Sequence, residues 1–228
     1  TMDDRTRMRA LDAMTGAWFM SDRALPYLKQ GDVLSLGLLN HPDRALREEA
    51  MRFRATLLFN RGYHSKFHRD LVSAQRDFRE AQALSSSLGD TMRMATSLDA
   101  TGVTYLALDL PSGALQYFNR EVDLLRDMIP SPPYDVARGL QHSAKALARM
   151  NRFVEAHAVL AQCDTMEPNY HALTRMVRAE LHEAQGDLTK AKSEIERAYE
   201  LVPKSPPNWN AITVLEPMAA FLLRAGEP

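Results

Sequence analysis

The stretch of sequence that decides the fold is HALTRMVRAELHEAQGDLTKAKSEIERAYELVPKS, residues 171–205. Its apolar residues recur at intervals of three and four, which is the pattern of amphipathic helices. Gly186-Asp187 forms a corner between two such segments, and Pro203 ends the second one. Small residues stand where two crossing helices would approach closely: Ala179, Ala191 and Ala198. This stretch therefore predicts one antiparallel pair of helices.

The same pattern recurs upstream. A shift of 35 residues places Ala179 on Ala144 and Ile195 on Leu160, and further shifts of 42 and 40 residues keep the phase. The recurring small residues are Gly62, Gly102, Ala144 and Ala179 in the first helix, and Ala74, Ala114, Ala156 and Ala191 in the second. One such pair cannot bury its apolar face alone, so neighbouring pairs must stack. We therefore predict an all-α fold, an α-solenoid of about five antiparallel helix pairs followed by a terminal helix.

The predicted helices follow from this phase and from the turn residues between them. They cover residues 2–19, a second segment that ends near 36, and then 44–68, 71–87, 91–108, 111–128, 135–150, 153–163, 169–185, 188–202 and 208–226. Gly62 offers an alternative, earlier end for the third helix.

Composition narrows the class of protein. The formal net charge of −1 gives no basic field that would attract nucleic acid. A single Cys allows no internal disulfide and favours a reducing compartment, so we expect a cytoplasmic protein. No apolar run is long enough to span a bilayer, and the charged N-terminus does not read as a signal peptide.

The helix-pair pattern resembles the tetratricopeptide repeat over about residues 45–203. The 40-residue spacing and the Ser-Leu-Gly-Asp run at 87–90 are similar to the longer-helix form of bacterial signalling proteins. Departures are the missing first-helix Trp, Glu121 where Ala is usual, and Arg178 where Leu is usual. The resemblance implies a right-handed superhelix whose first helices line a concave groove that binds a protein or peptide.

The resemblance also implies which residues line that groove. They are Tyr63, Lys66, Asp99, Val103, Leu106, Arg138, Gln141, Lys145, Arg149, Met176, Glu180 and Glu183, with Thr56, Phe59, Thr96 and Leu173 beside them. The set on residues 138–149 is basic and the set on residues 180–183 is acidic, so the groove is expected to be patterned by charge. Chaperone-binding members carry an Asn clamp, and the matching positions here are Tyr63, Val103, Lys145 and Glu180. Binding of a chaperone tail is therefore disfavoured.

Residues that could carry chemistry form no convincing site in the sequence. His64 and His68 share a helix face, but two ligands do not make a metal site, and a solvated basic surface is the preferred interpretation. The run 61–70 mixes bases with Tyr63 and Phe67, which could stack on nucleic acid but is expected to face a neighbouring helix. Cys163 aligns with Ala198 and is predicted to be a small core residue. Glu121 is expected on a solvated face together with Asp123 and Asp127.

These observations predict no catalytic residue, no metal and no cofactor. We expect one solenoid domain over residues 1–228 of a larger protein that continues after 228, because the terminal segment carries an apolar face without a second helix. The expected function is a non-catalytic scaffold, or a sensory and dimerising module, of a bacterial regulator. The alternatives are a small-peptide signal receptor and, from another class, an enzyme or a nucleic-acid-binding domain.

Overall fold

The computed structural model describes residues 3–166, 171–202, 215, 218–221 and 223. These residues form α-helices and one 3₁₀ helix, Asp22–Ala24, and they contain no strand. The helices are α1 Asp4–Trp18, α2 Leu25–Leu38, α3 Arg44–Phe67, α4 Leu71–Ser87, α5 Thr91–Ala107, α6 Pro111–Arg126, α7 Pro133–Arg149, α8 Phe153–Cys163, α9 His171–Ala184 and α10 Leu188–Leu201. Consecutive helices pair, so the predicted all-α class and the pairing are confirmed.

The predicted bounds agree with the observed ones to within about two residues. The bounds of α4 and α8 coincide with the prediction, and α3 continues through Gly62 rather than ending there. The alternative end at Gly62 is wrong because the helix is held by packing against α4, as described below. The helix predicted over residues 208–226 lies largely outside the described residues.

The helix starts are set by local chemistry. Asp70, Asp90 and Asp187 each accept a hydrogen bond from a backbone N–H in the first turn of α4, α5 and α10. Such a cap satisfies a donor that has no partner inside the helix. At the corner before α10, Gly186 has a φ of +80°, a left-handed conformation that ends the preceding helix. These corners explain why the sequence pattern predicts the bounds so closely.

The chain divides into two compact units. The first comprises residues 1–125 and the second residues 126–228. Unit 1 holds α1 to α5 and nearly all of α6, and unit 2 holds α7 to α10. The expectation of one continuous domain over residues 1–228 stays a prediction.

A glycine-on-phenylalanine contact repeats within unit 1. A Cβ atom on Gly62 would lie 2.6 Å from Phe78, and one on Gly102 would lie 2.5 Å from Phe118. Both rings are fully buried. The equivalent pairs in unit 2 combine alanine with a smaller aliphatic residue, and Ala179 lies with Ile195 in one buried cluster. The first helix therefore carries glycine where the facing residue of the second helix is phenylalanine, and alanine where that residue is a smaller aliphatic one.

Ion pairs join α2, α3 and α4 in unit 1, where Arg54 and Asp77 are buried and the side chain of Glu80 is 41% exposed. Arg61 donates to both oxygens of Asp77, with Nε–Oδ2 at 2.7 Å and Nη2–Oδ1 at 3.0 Å. Arg54 donates to Asp32 at 2.9 Å and to Glu80 at 2.7 Å. Asp77 is only 1% exposed. These charged residues are therefore part of the packing between the helices.

Among the described residues, no helix is both long enough and apolar enough to cross a membrane.

Candidate binding face

The first helices of unit 1 form a cleft. Its lining comes from α1, α3 and α5 and consists of Met8, Arg9, Asp12, Glu49, Arg52, Phe53, Thr56 and Arg93. The cleft has a volume of about 180 Å³. Met8 and Phe53 are buried and form its apolar floor, whereas Arg9 and Arg52 are exposed at its rim. An apolar floor with a charged rim is the usual composition of a recognition site.

Polar groups on the wall of this cleft are partly desolvated. Burial raises the pKa of Asp12, and the charge of Arg93 offsets this in part. Arg93 donates hydrogen bonds to Asp90 and to Thr56, which joins α5 to α3. Polar contacts between such desolvated groups and a ligand are stronger than the same contacts made in water.

Thr56, which the resemblance placed beside the groove, lines this cleft, and the other predicted groove residues of unit 1 lie farther along α3 and α5. Tyr63 packs edge-on against Phe59, at 4.9 Å between ring centroids, and against Phe78, at 5.3 Å. The Lys66 ammonium lies 5.3 Å from the centre of the Tyr63 ring. Burial lowers the pKa of Lys66, and Asp99 acts in the opposite direction. Tyr63 therefore supports the packing of α3 on α4.

The remaining predicted residues of unit 1 differ in exposure. Val103 and Leu106 are half-buried, whereas Asp99 is buried. A partner on the surface would therefore reach Val103 and Leu106 more easily than Asp99.

The predicted groove residues of unit 2 contact one another between α7 and α9. Lys145 Nζ lies 2.9 Å from Glu180, and Gln141 donates to Thr174 Oγ1 at 3.1 Å. Arg138 pairs with Asp135 on its own helix at 3.0 Å. The basic and acidic sets expected from the sequence are thus joined directly at Lys145 and Glu180.

Burial separates the other positions of unit 2. Gln141 and Met176 are buried, and Arg149 is exposed. A second cavity, of about 270 Å³, is lined by Met176, Ala179, Glu180, Glu183, Ile195, Ala220 and Phe221. It brings together the three predicted residues of α9 and the second-helix residue Ile195.

Sequence reasoning missed the contribution of α1 to the cleft of unit 1. Arg9 and Asp12 lie on a helix that the repeat alignment did not reach, so no phase could be carried over to it. Arg52 and Arg93 lie on helices whose phase was known, about one turn before the predicted positions Thr56 and Thr96. Extending the groove toward the start of each first helix would have found them.

Two expectations about charged residues are wrong. Glu121 is fully buried instead of lying on a solvated face, because it occupies the small-residue position of the repeat, which points between helices. His64 is also buried, at 8% exposure, whereas His68 is exposed. Tyr63 faces a neighbouring helix as expected, but Phe67 is 56% exposed.

Cys163 lies in the core of unit 2, as the sequence alignment predicts. It is fully buried, and burial raises the pKa of its thiol. Because the thiolate is the reactive form, we expect the native protein to react with a thiol-specific disulfide reagent at least about 100-fold more slowly than the urea-unfolded chain. The absorbance of the released thiol measures both rates, and comparable rates would contradict the buried position.

The comparisons with known proteins concern the fold. No protein-family sequence profile matches the chain, and no curated protein sequence matches it. RapI in its apo form is similar in structure, with a TM-score of 0.59 and 12% identity over 98% of this chain and 72% of that one. The nearly identical TPR-like repeats of a Podospora anserina protein give a TM-score of 0.64 and 12% identity, over 88% of this chain and 97% of that one.

A third similar structure is BtubC, also called BKLC, from P. vanneervenii. Its TM-score is 0.54 at 15% identity, over 91% of this chain and 95% of that one. At these identities the likeness shows the fold alone. The protein therefore has the fold of tetratricopeptide-like repeat proteins, which confirms the resemblance inferred from the sequence.

Proposed function

We propose that the protein is a non-catalytic interaction module that binds a protein or peptide segment on the face formed by the first helices of unit 1. The observation that carries this proposal is the cleft of unit 1, where α1, α3 and α5 surround an apolar floor with charged side chains. Its similarity in fold to repeat proteins supports the proposal. The single buried Cys favours a reducing compartment such as the cytoplasm.

The size of the cleft favours a polypeptide over a small molecule. Pockets that enclose small-molecule ligands have volumes of about 300–1,000 Å³. The cleft of unit 1, at about 180 Å³, suits a single anchoring side chain. The rest of the partner would then lie along the first helices, where Val103 and Leu106 offer partly exposed apolar surface. A short signalling peptide would bind in the same way and is the second candidate.

Charge-reversal variants on the two kinds of helix test the proposal. Peptides are first selected from a random displayed library, and their affinities are then measured by calorimetry. We expect Arg52→Glu, on a first helix of unit 1, to weaken the selected peptides about tenfold, or about 1.4 kcal/mol. The matched control on a second helix of unit 1 is Arg120→Glu, which should change affinity less than about twofold.

The outcome separates the binding face from general effects of charge. Both side chains are exposed, so thermal unfolding of the two variants should match that of the parent. Equal weakening by the control variant would show that the second helices or overall charge bind the peptides, and would contradict the proposal. A library that yields no binder would do so as well.

A further inference from the structure

Three potential metal ligands meet at one corner of unit 1. Asp22 belongs to the 3₁₀ helix between α1 and α2, while His64 and His68 lie at the C-terminal end of α3. The Nε2 atoms of His64 and His68 lie 3.3 Å and 3.2 Å from Oδ1 of Asp22. Within the described part of the chain, this is the one group of three such side chains close enough to share an ion.

The two nitrogen-to-oxygen distances at this corner suit tetrahedral coordination. Zinc binds imidazole nitrogen and carboxylate oxygen at about 2.0 Å, so two ligands of a tetrahedral site lie about 3.3 Å apart. Both nitrogen-to-oxygen distances at this corner have that value. The three ligand atoms all lie within 4.8 Å of one another. To complete the coordination, side-chain rotation would have to bring the two histidine nitrogens to a similar separation, and the exposed side chains of Asp22 and His68 are free of the core in this respect.

The environment of His64 provides a second, independent observation. The whole residue is 8% exposed and its side chain 11% exposed, and its Nε2 atom makes no hydrogen bond within the described structure. That atom is close to Asp22 but is not in hydrogen-bonding geometry with it. Burying a polar atom without a partner costs free energy. A metal ion at the corner would give this nitrogen a partner.

The other two ligands leave the corner accessible. The side chains of Asp22 and His68 are 73% and 42% exposed, so an ion can enter from solvent and keep a water molecule as its fourth ligand. Two imidazoles and one carboxylate favour zinc and similar transition metals over magnesium and calcium, which prefer oxygen ligands.

We propose that Asp22, His64 and His68 form a zinc-binding site that ties the α1–α2 corner to the end of α3. The bound ion holds together two segments that are far apart in the sequence, and it therefore stabilises unit 1 against unfolding. This role is separate from the proposed binding face, because the ligands include the corner before α2.

Calorimetric titration of tag-free, EDTA-treated protein with zinc chloride tests the site. We expect one zinc ion per chain, an increase in Tm on zinc addition, and no comparable response to magnesium or calcium. Asp22→Asn and His68→Gln each remove one exposed ligand. Each variant should bind zinc at least about tenfold more weakly, because changing even a residue that only supports a metal ligand lowers affinity by about tenfold or more. Both variants should unfold at the parent temperature in EDTA, which shows that they fold.

A second histidine pair provides the matched control. The rings of His157 and His182 in unit 2 lie 5.0 Å apart, and His157 contacts Gln185. Because the described structure places no third ligand there, His157→Gln should leave zinc affinity and the increase in Tm unchanged. The absence of stoichiometric binding, or equal affinity in the Asp22→Asn and His68→Gln variants, would overturn the proposal.

Discussion

We expect Arg61→Met to lower the free energy of unfolding by about 3 kcal/mol, which is the lower end of the cost of breaking a buried ion pair. The substitution leaves Asp77 buried without the guanidinium that bonds both of its oxygens. Arg76 lies 3.6 Å from Asp77, but its side chain is 70% exposed and replaces only part of the lost interaction. Urea unfolding followed by circular dichroism measures the change.

A double variant shows whether the cost comes from the isolated charge. In Arg61→Met/Asp77→Leu both partners are apolar, and replacing a buried pair in this way is often neutral. We expect most of the lost stability to return. If the loss of unfolding free energy in the double variant equals the sum of the losses in Arg61→Met and Asp77→Leu, the two residues are not energetically coupled.

The surface pair of Arg44 and Glu48 is the matched control. Its Nε–Oε1 distance is 2.9 Å, similar to that of the buried pair, but the Arg44 side chain is 84% exposed. Exposed pairs contribute about 0–1 kcal/mol. Arg44→Met should therefore change stability by less than about 1 kcal/mol, and a larger effect would show that burial is not what distinguishes the two pairs.

Gly62→Ala has the second large expected effect, a net loss of about 2 kcal/mol. The added Cβ would lie 2.6 Å from Phe78, whose buried ring is held by Phe59 and Tyr63. Overpacking a core costs about 1–3 kcal/mol, and the better helix propensity of alanine returns about 1 kcal/mol. Since the ring has little room to move, we expect the cost to be near its upper limit.

Phe78→Leu should rescue this variant. Unit 2 has alanine opposite a smaller aliphatic residue at the equivalent positions, as in Ala179 and Ile195. The double variant Gly62→Ala/Phe78→Leu recreates that combination and should be more stable than the sum of the single changes predicts. Additive losses would show that the two positions are not matched in size.

Gly37→Ala is the matched control for the added methyl group. Gly37 also lies in a helix, but a Cβ there would meet no atom within 4 Å. We expect a change between zero and a gain of about 1 kcal/mol. A loss similar to that of Gly62→Ala would mean that the backbone, and not Phe78, limits the site.

Much of the fold is encoded locally and could be predicted from the sequence. Each helix has its own apolar period, and corners such as Gly186-Asp187 carry their own caps. The recurrence of Gly62 and Gly102 indicated close helix contacts before their partners were known. These signals lie within a few residues of the feature that they predict, which is why the bounds agree so well.

The pairing of charged side chains across helices was decided only by the tertiary structure. The sequence predicted a basic set of residues on α7 and a separate acidic set on α9, whereas the structure pairs Lys145 with Glu180. It likewise buries Arg54 and Asp77, which by residue type alone belong on a surface. A long side chain reaches across one helix to another, and its partner depends on how the two helices are rotated and offset.

The sequence by itself determined that this protein is a series of paired helices with small residues at the contacts, because those features depend on spacing along one helix. Only the tertiary structure brought Asp22 to His64 and His68, and α1 to the cleft of unit 1. Both sites combine residues from helices that are distant in sequence. Their composition depends on the packing of those helices in space, which the spacing of residues does not encode.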